Sequence, residues 1–292
     1  MRLKSALRRG VAAAVIAGIV VSSGIPAYAG TWDIADGDIT VKAGDAEGTN
    51  RVTQGEKDVE DTDTVITGES KENTVTIDTS GGNVDVTFDD LKIDASDKGE
   101  AAVRVEGNGD ATIELDGKNE LKSGGYNAGL EKDGHEPEGT LTIKDDKGKD
   151  GSLTAEGGDN GGAGIGGGKE STGSNITIRG GTIEAVGGSS AAGIGDGAYR
   201  ASDDTDDPNP GKLYICGDAE VTAKAGSQIL DAKVPAIGGT YGEVPTESLS
   251  DADHKVTGGR LTRYGPDGTV MEGMGYDYTS CLLYTSPSPR DM

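Results

Sequence analysis

The chain has 292 residues, of which 33% are hydrophobic, 4% aromatic and 50 glycine, and its formal net charge is −24. So acidic a surface repels nucleic-acid phosphates and anionic lipid heads, which argues against both as partners. So few apolar residues exclude a thick-cored globular domain, while regular alternation of Val, Ile, Leu and Thr argues against disorder.

In chain order, residues 1–29 come first. MRLKSALRRG is a basic start, VAAAVIAGIVVSSGIP an apolar run, and Ala27-Tyr28-Ala29 a small-residue cleavage motif. The pattern predicts a signal peptide cut after Ala29, so the mature chain begins GTWDI and is exported, with no membrane insertion once the signal is gone. Without this segment and the tail described below, 22 basic residues face 50 acidic ones, a net charge of about −28.

DGDITV, DTVITG and ENTVTI follow as short strands, read as irregular first turns that cap the fold. Five longer units come next. They start at VDVTFDDLKIDASDKGEAAVRV, ATIELDGKNELKSGGYNAGL, TLTIKDDKGKDGSLTAEGGDNGGAGIGGG, NITIRGGTIEAVGGSSAAGIGDG and KLYICGDAEVTAKAGSQILDAKVPAIGG. Each reads as strand, turn, strand, turn, and a short glycine-flanked apolar segment. Apolar positions align as Phe88, Leu115, Ile143, Ile178 and Ile215 in the first strand. In the second they are Ile93, Leu121, Leu153, Ile183 and Val221, and in the third Val103, Leu130, Ile165, Ile194 and Ile237. The alternation has period two, which excludes helical repeats of similar length. Extra residues fall between strands, at DDKGKDG, GGKESTG and YRASDDTDDPNPG, where loops can bulge without disturbing a stack. The expectation is an all-β, right-handed parallel β-helix, a solenoid with three short strands per turn, over residues 30–245. Residues 246–280 are expected to form a further β segment.

From Cys281 the chain reads CLLYTSPSPRD, which resembles one reading frame of a sequencing-library adapter. Residues 281–292 are therefore read as a non-native tail, with the natural chain expected to continue past Ser280. That leaves Cys216 alone, and no disulfide is inferred.

Gly162, Gly164 and Gly167 match the G-x-G-x-x-G spacing of a dinucleotide-binding turn. That turn needs a helix after it, and here another β pattern follows. AGIGGG and its echo AAGIGDG are instead read as corners of successive turns, with only isoleucine pointing inward.

Together, TWDI, VITG, NVDVTFDDLKID, TIELDGKNELKSG, AGIGGG, NITIRGGTIEAVGG and AAGIGDG resemble a group of secreted bacterial β-helix proteins labelled carbohydrate-binding domain-containing, from Gram-positive bacteria. The resemblance covers most of Thr31 to Gly239. It implies a right-handed β-helix, binding to plant-type or acidic polysaccharides, and calcium.

Two sets of residues are candidates for a site. Asp203, Asp204, Asp206 and Asp207 crowd one loop whose oxygens suit Ca2+, although no EF-hand spacing appears and a solvated turn is the plainer reading. Calcium there would bridge to uronate carboxylates, which so acidic a protein would otherwise repel. Tyr126, Tyr199 and Tyr214 offer aromatic faces for sugars, with incidental surface tyrosines as the alternative. Tyr214, between inward Leu213 and Ile215, is expected to point outward, and Trp32 to pack in the cap. His135 and His254 lack metal-ligand spacing to each other, and no nucleophile motif appears. The reading therefore favours a secreted or surface-displayed polysaccharide-binding protein without catalysis. A polysaccharide lyase or glycoside hydrolase on the same fold, and a structural stalk or adhesin, stay open as alternatives.

Overall fold

The computed structural model describes residues 29–132, 139–148, 150–173, 175–198, 213–227, 234, 236–238, 254–256 and 258–270. These are all-β apart from one short 3-10 turn, Ile34–Asp36. Among them, no helix is long and apolar enough to cross a membrane.

The strands stack in parallel columns that curl into a solenoid. A first column runs from the start of Val84–Asp94 through Ala111–Asp116, Leu141–Lys144, Ile176–Ile178 and Leu213–Ile215 to His254–Val256. A second runs from the end of Val84–Asp94 through Lys118–Lys122, Ser152–Glu156, Thr182–Val186 and Glu220–Lys224 to Arg260–Tyr264. The eleven-residue strand Val84–Asp94 therefore bends across two faces and joins them into one curled sheet. A third column holds Ile39–Ala43, Val75–Asp78, Val103–Glu106, Leu130–Lys132, Ile165–Gly166, Ile194–Gly195 and Ile237–Gly238. Two strands beyond residue 245, His254–Val256 and Arg260–Tyr264, pair in these same columns.

Alternation explains the strands. In Val103–Glu106 the valines are buried while Arg104 and Glu106 are exposed, and Leu141–Lys144 repeats the pattern with Leu141 and Ile143 inside. Each inward Val, Ile or Leu contributes roughly 1.5–3 kcal/mol, and each rung packs on the one below, so a thin core suffices. The third column keeps the alignment expected from sequence, since Val103, Leu130, Ile165, Ile194 and Ile237 pair in series.

The other two columns depart from it at one step. Ile143 lies opposite Ile113 rather than Leu115, and Leu153 opposite Asn119 rather than Leu121, whose partner is Ala155. The shift is two residues, which preserves the inward–outward alternation and is therefore invisible to it. Its cause is the insertion Asp145–Gly151, which begins two residues earlier than an apolar match implies. Asp145 takes the place Leu115 holds one turn earlier, and its carboxylate accepts the Gly151 amide at 3.1 Å to close the loop.

Asn119 is the polar residue this register puts inside, with 0% exposure. Its side-chain oxygen accepts the Leu91 amide at 2.9 Å, and its nitrogen donates to the Asp116 and Ser152 carbonyls, both at 3.1 Å. One carboxamide thus ties three successive turns at a corner.

The G-x-G-x-x-G stretch is structural. Ile165 and Ile194 are buried, and each is followed by a glycine with positive φ, Gly166 at 132° and Gly195 at 127°. A Cβ on Gly166 would come within 2.1 Å of the Gly195 carbonyl oxygen, so only glycine lets these turns stack.

At the N-terminal end the stacking changes. Asn50–Gln54 and Lys57–Asp61 extend the third face as antiparallel strands beyond Ile39–Ala43. Trp32 is buried there, at 3% exposure, and its indole N–H donates to Asp61 Oδ2 at 2.7 Å.

Candidate functional site

The register that builds the core also lays out the surface. On the first face the outward residues form a row, Asp85, Thr112, Thr142, Thr177 and Tyr214, one per turn. Beside it, Thr87 pairs with Glu114 and Glu114 with Lys144, and Arg179 follows in the next turn. Strand spacing puts successive members about 4.8 Å apart.

A cleft of about 820 Å3 lies over the lower part of these rows. It is lined by the cap loop at residues 44–49 and, from the insertion that follows Lys144, by Lys147. Both are braced. Glu60 accepts the Ala46 amide at 3.1 Å and the Thr49 hydroxyl, which chiefly holds its carboxyl below the usual range. Asn50 joins cap to face, donating to Thr64 Oγ1 at 2.9 Å and the Asp85 carbonyl at 2.6 Å.

On the opposite side Glu114 is the organising group. Its Oε1 accepts the Asp146 and Lys147 amides, both at 2.7 Å, and its Oε2 lies 3.1 Å from Lys144 Nζ. Glu114 is buried, and these charge-assisted partners fix the turn. Partial burial acts to lower the Lys144 ammonium, but hydrogen bonds to Asp146 and Glu114 outweigh it and raise its pKa overall. Lys147 reaches back to Asp63 Oδ1 at 3.4 Å and Thr87 Oγ1 at 3.3 Å. Five carboxylates, from Asp45, Glu47, Asp63, Asp85 and Glu114, line the cleft against Lys144, Lys147 and Arg179. The cleft is polar, rich in hydroxyls and slightly acidic.

The tyrosines separate. Tyr214 is half-buried and stands in the Thr112–Thr142–Thr177 row, two rungs and about 10 Å beyond Thr142. Tyr126 lies apart from the cleft on an exposed turn, with the Lys169 ammonium 4.7 Å from its ring centre. Tyr199 lies outside the described residues, as do Asp203, Asp204, Asp206 and Asp207, the expected calcium ligands. Among the described residues no group of three or more His, Cys, Asp or Glu could hold a metal ion.

Sequence reasoning missed Thr112, Thr142, Thr177, Glu114, Lys144 and Arg179. Their signal was present in ATIEL, LTIK, ITIR and LYIC, whose second position repeats a hydroxyl residue and whose fourth is Glu, Lys, Arg or Cys. Attention to inward isoleucines concealed the equally regular outward column. Comparison with protein-family models, curated proteins and solved structures gives no match to the chain.

Proposed function

We propose that this is a secreted or surface-displayed carbohydrate-binding protein, a right-handed parallel β-helix whose first face holds a polysaccharide. The observation that carries the reading is the row Asp85–Thr112–Thr142–Thr177–Tyr214, which enters the walled cleft. A polymer of similar sugar units presents hydroxyls at regular intervals, and a ladder of hydroxyl and carboxylate groups repeating at about 4.8 Å offers matching partners. Tyr214 supplies a flat apolar face further along the same row, suited to a pyranose ring.

The acidic lining bears on the ligand's charge. Five carboxylates against three cations favour a neutral glycan, or an acidic one held through Ca2+. Asp203, Asp204, Asp206 and Asp207 would supply that calcium from the loop that leads into the strand bearing Tyr214. A glycan array run with calcium and again with chelator tests this. Binding in either condition that weakens in Thr142→Lys supports the cleft, and binding lost only with chelator adds the calcium bridge. Absence of binding in both conditions rejects the reading.

A further inference from the structure

Asp61 is a fully buried carboxylate at the end of cap strand Lys57–Asp61. It accepts three N–H groups: Gly30 N at 3.0 Å and Asp63 N at 3.1 Å on Oδ1, and Trp32 Nε1 at 2.7 Å on Oδ2. All three donors are neutral in the intact chain, and among the described residues no lysine or arginine pairs with Asp61. The nearby cation Lys57 sits over the Trp32 ring, 5.8 Å from its centre. A buried charge without a countercharge is costly, and native proteins seldom keep one.

The missing charge is one bond away. Gly30 is buried and held on its other side by its carbonyl, which accepts the Val65 amide at 3.0 Å, whereas Ala29 is exposed. The Ala29–Gly30 bond is also where the signal motif ends. Hydrolysis there adds one water across the amide. The carbonyl carbon of Ala29 leaves as a carboxylate, and the nitrogen of Gly30 becomes an ammonium at neutral pH. We propose that Asp61 is the receptor for this α-ammonium, so that removing the leader converts a neutral hydrogen bond into a buried ion pair and completes the cap. An export peptidase acts on the extended chain before folding, so burial of Gly30 afterwards is no obstacle.

The inference rests on the export reading, but the two can fail separately. The test compares the Gly30-initiated chain with the same chain acetylated on its α-nitrogen, which restores an amide like the uncleaved bond. At pH 7 the free amine should melt roughly 5 °C higher, and Asp61→Asn should erase the difference. Such a pairing would raise the amine's folded pKa, so the advantage should be full below its unfolded value of about 7.7–8.0 and be lost as pH rises through the folded value. Among the described residues only Asp61 contacts the nitrogen; Asp63, which Lys147 meets at 3.4 Å, Asp33, which caps the Ala35 amide, and Lys57, over the Trp32 ring, are charged groups of the same cap. If Asp61→Asn does not fold, the acetylated chain with intact Asp61 still decides. Equal melting of free and acetylated chains overturns the proposal even where mass spectrometry finds the secreted protein starting at Gly30. A secreted protein starting elsewhere overturns it while leaving export intact.

Discussion

The side-chain oxygen of Asn119 accepts the backbone amide of Leu91 at 2.9 Å, inside a column otherwise filled by Leu153, Ile183, Val221 and Leu261. A polar residue survives there because strand Ala111–Asp116 passes to strand Lys118–Lys122 through Gly117 alone, leaving corner groups that no ladder can reach. Asn119→Leu keeps the branched shape but removes the hydrogen bonds to the Leu91 amide and two carbonyls. It should cost about 3 kcal/mol in urea unfolding, with an unchanged strand signature by circular dichroism.

The glycine column predicts a contrast. Gly195→Ala places a Cβ 2.6 Å from the Gly238 carbonyl oxygen at a φ of 127°, and should cost about 2–5 kcal/mol. Gly48→Ala, at φ 76° with nothing within 4 Å, should cost only about 1 kcal/mol. Thermal unfolding of the two variants side by side measures the close approach of turns separately from backbone strain.

Asp89 predicts a pH effect of definite sign. Partial burial, then the neighbouring Asp116 and Asp90 charges, raise its carboxyl pKa. An acid raised in the folded state withdraws stability as pH climbs through its unfolded value of about 3.9 to the folded value above it. Asp89→Asn should therefore raise the melting temperature at pH 7 and leave it unchanged at pH 3, as scanning calorimetry would show.

The two candidate tyrosines among the described residues, Tyr214 and Tyr126, are distinguishable by binding. Tyr214→Ala removes the aromatic member of the first-face row and should weaken a glycan ligand about tenfold, or 1.4 kcal/mol. Tyr126→Ala, on the separate exposed turn, should leave affinity unchanged by isothermal calorimetry. The reverse result would move the site to the corner shared by Tyr126 and Lys169.

How much of this was readable beforehand depended on what period-two alternation can carry. It identifies which residues face in, so Val103, Leu130, Ile165, Ile194 and Ile237 aligned correctly where short glycine-bounded segments left no room to slip. It cannot register a shift of two, so Leu115 and Leu121 were matched one step wrongly, and Asn119 was not recognised as interior. Trp32 packs in the cap as expected, yet its partner Asp61 lies 29 residues away, a long-range pairing that alternation cannot convey. The cleft was hidden differently. Its threonines repeat as faithfully as the isoleucines, but it is closed by the 44–49 loop and by Lys147 of the insertion, which repeat nowhere.

The antiparallel cap gives the molecule unlike ends. Parallel stacking invites another turn, whereas strand Lys57–Asp61 shows a reversed, charge-studded edge in Lys57, Asp58 and Glu60. A second copy arriving at the third column there meets neither the right direction nor a neutral edge, so the cap disfavours end-on growth on that face. Rungs gained by duplication would lengthen the first-face row. If the first-face row holds a glycan as proposed, the molecule would act as a ruler with a fixed zero, along which added rungs would measure a longer stretch of polymer.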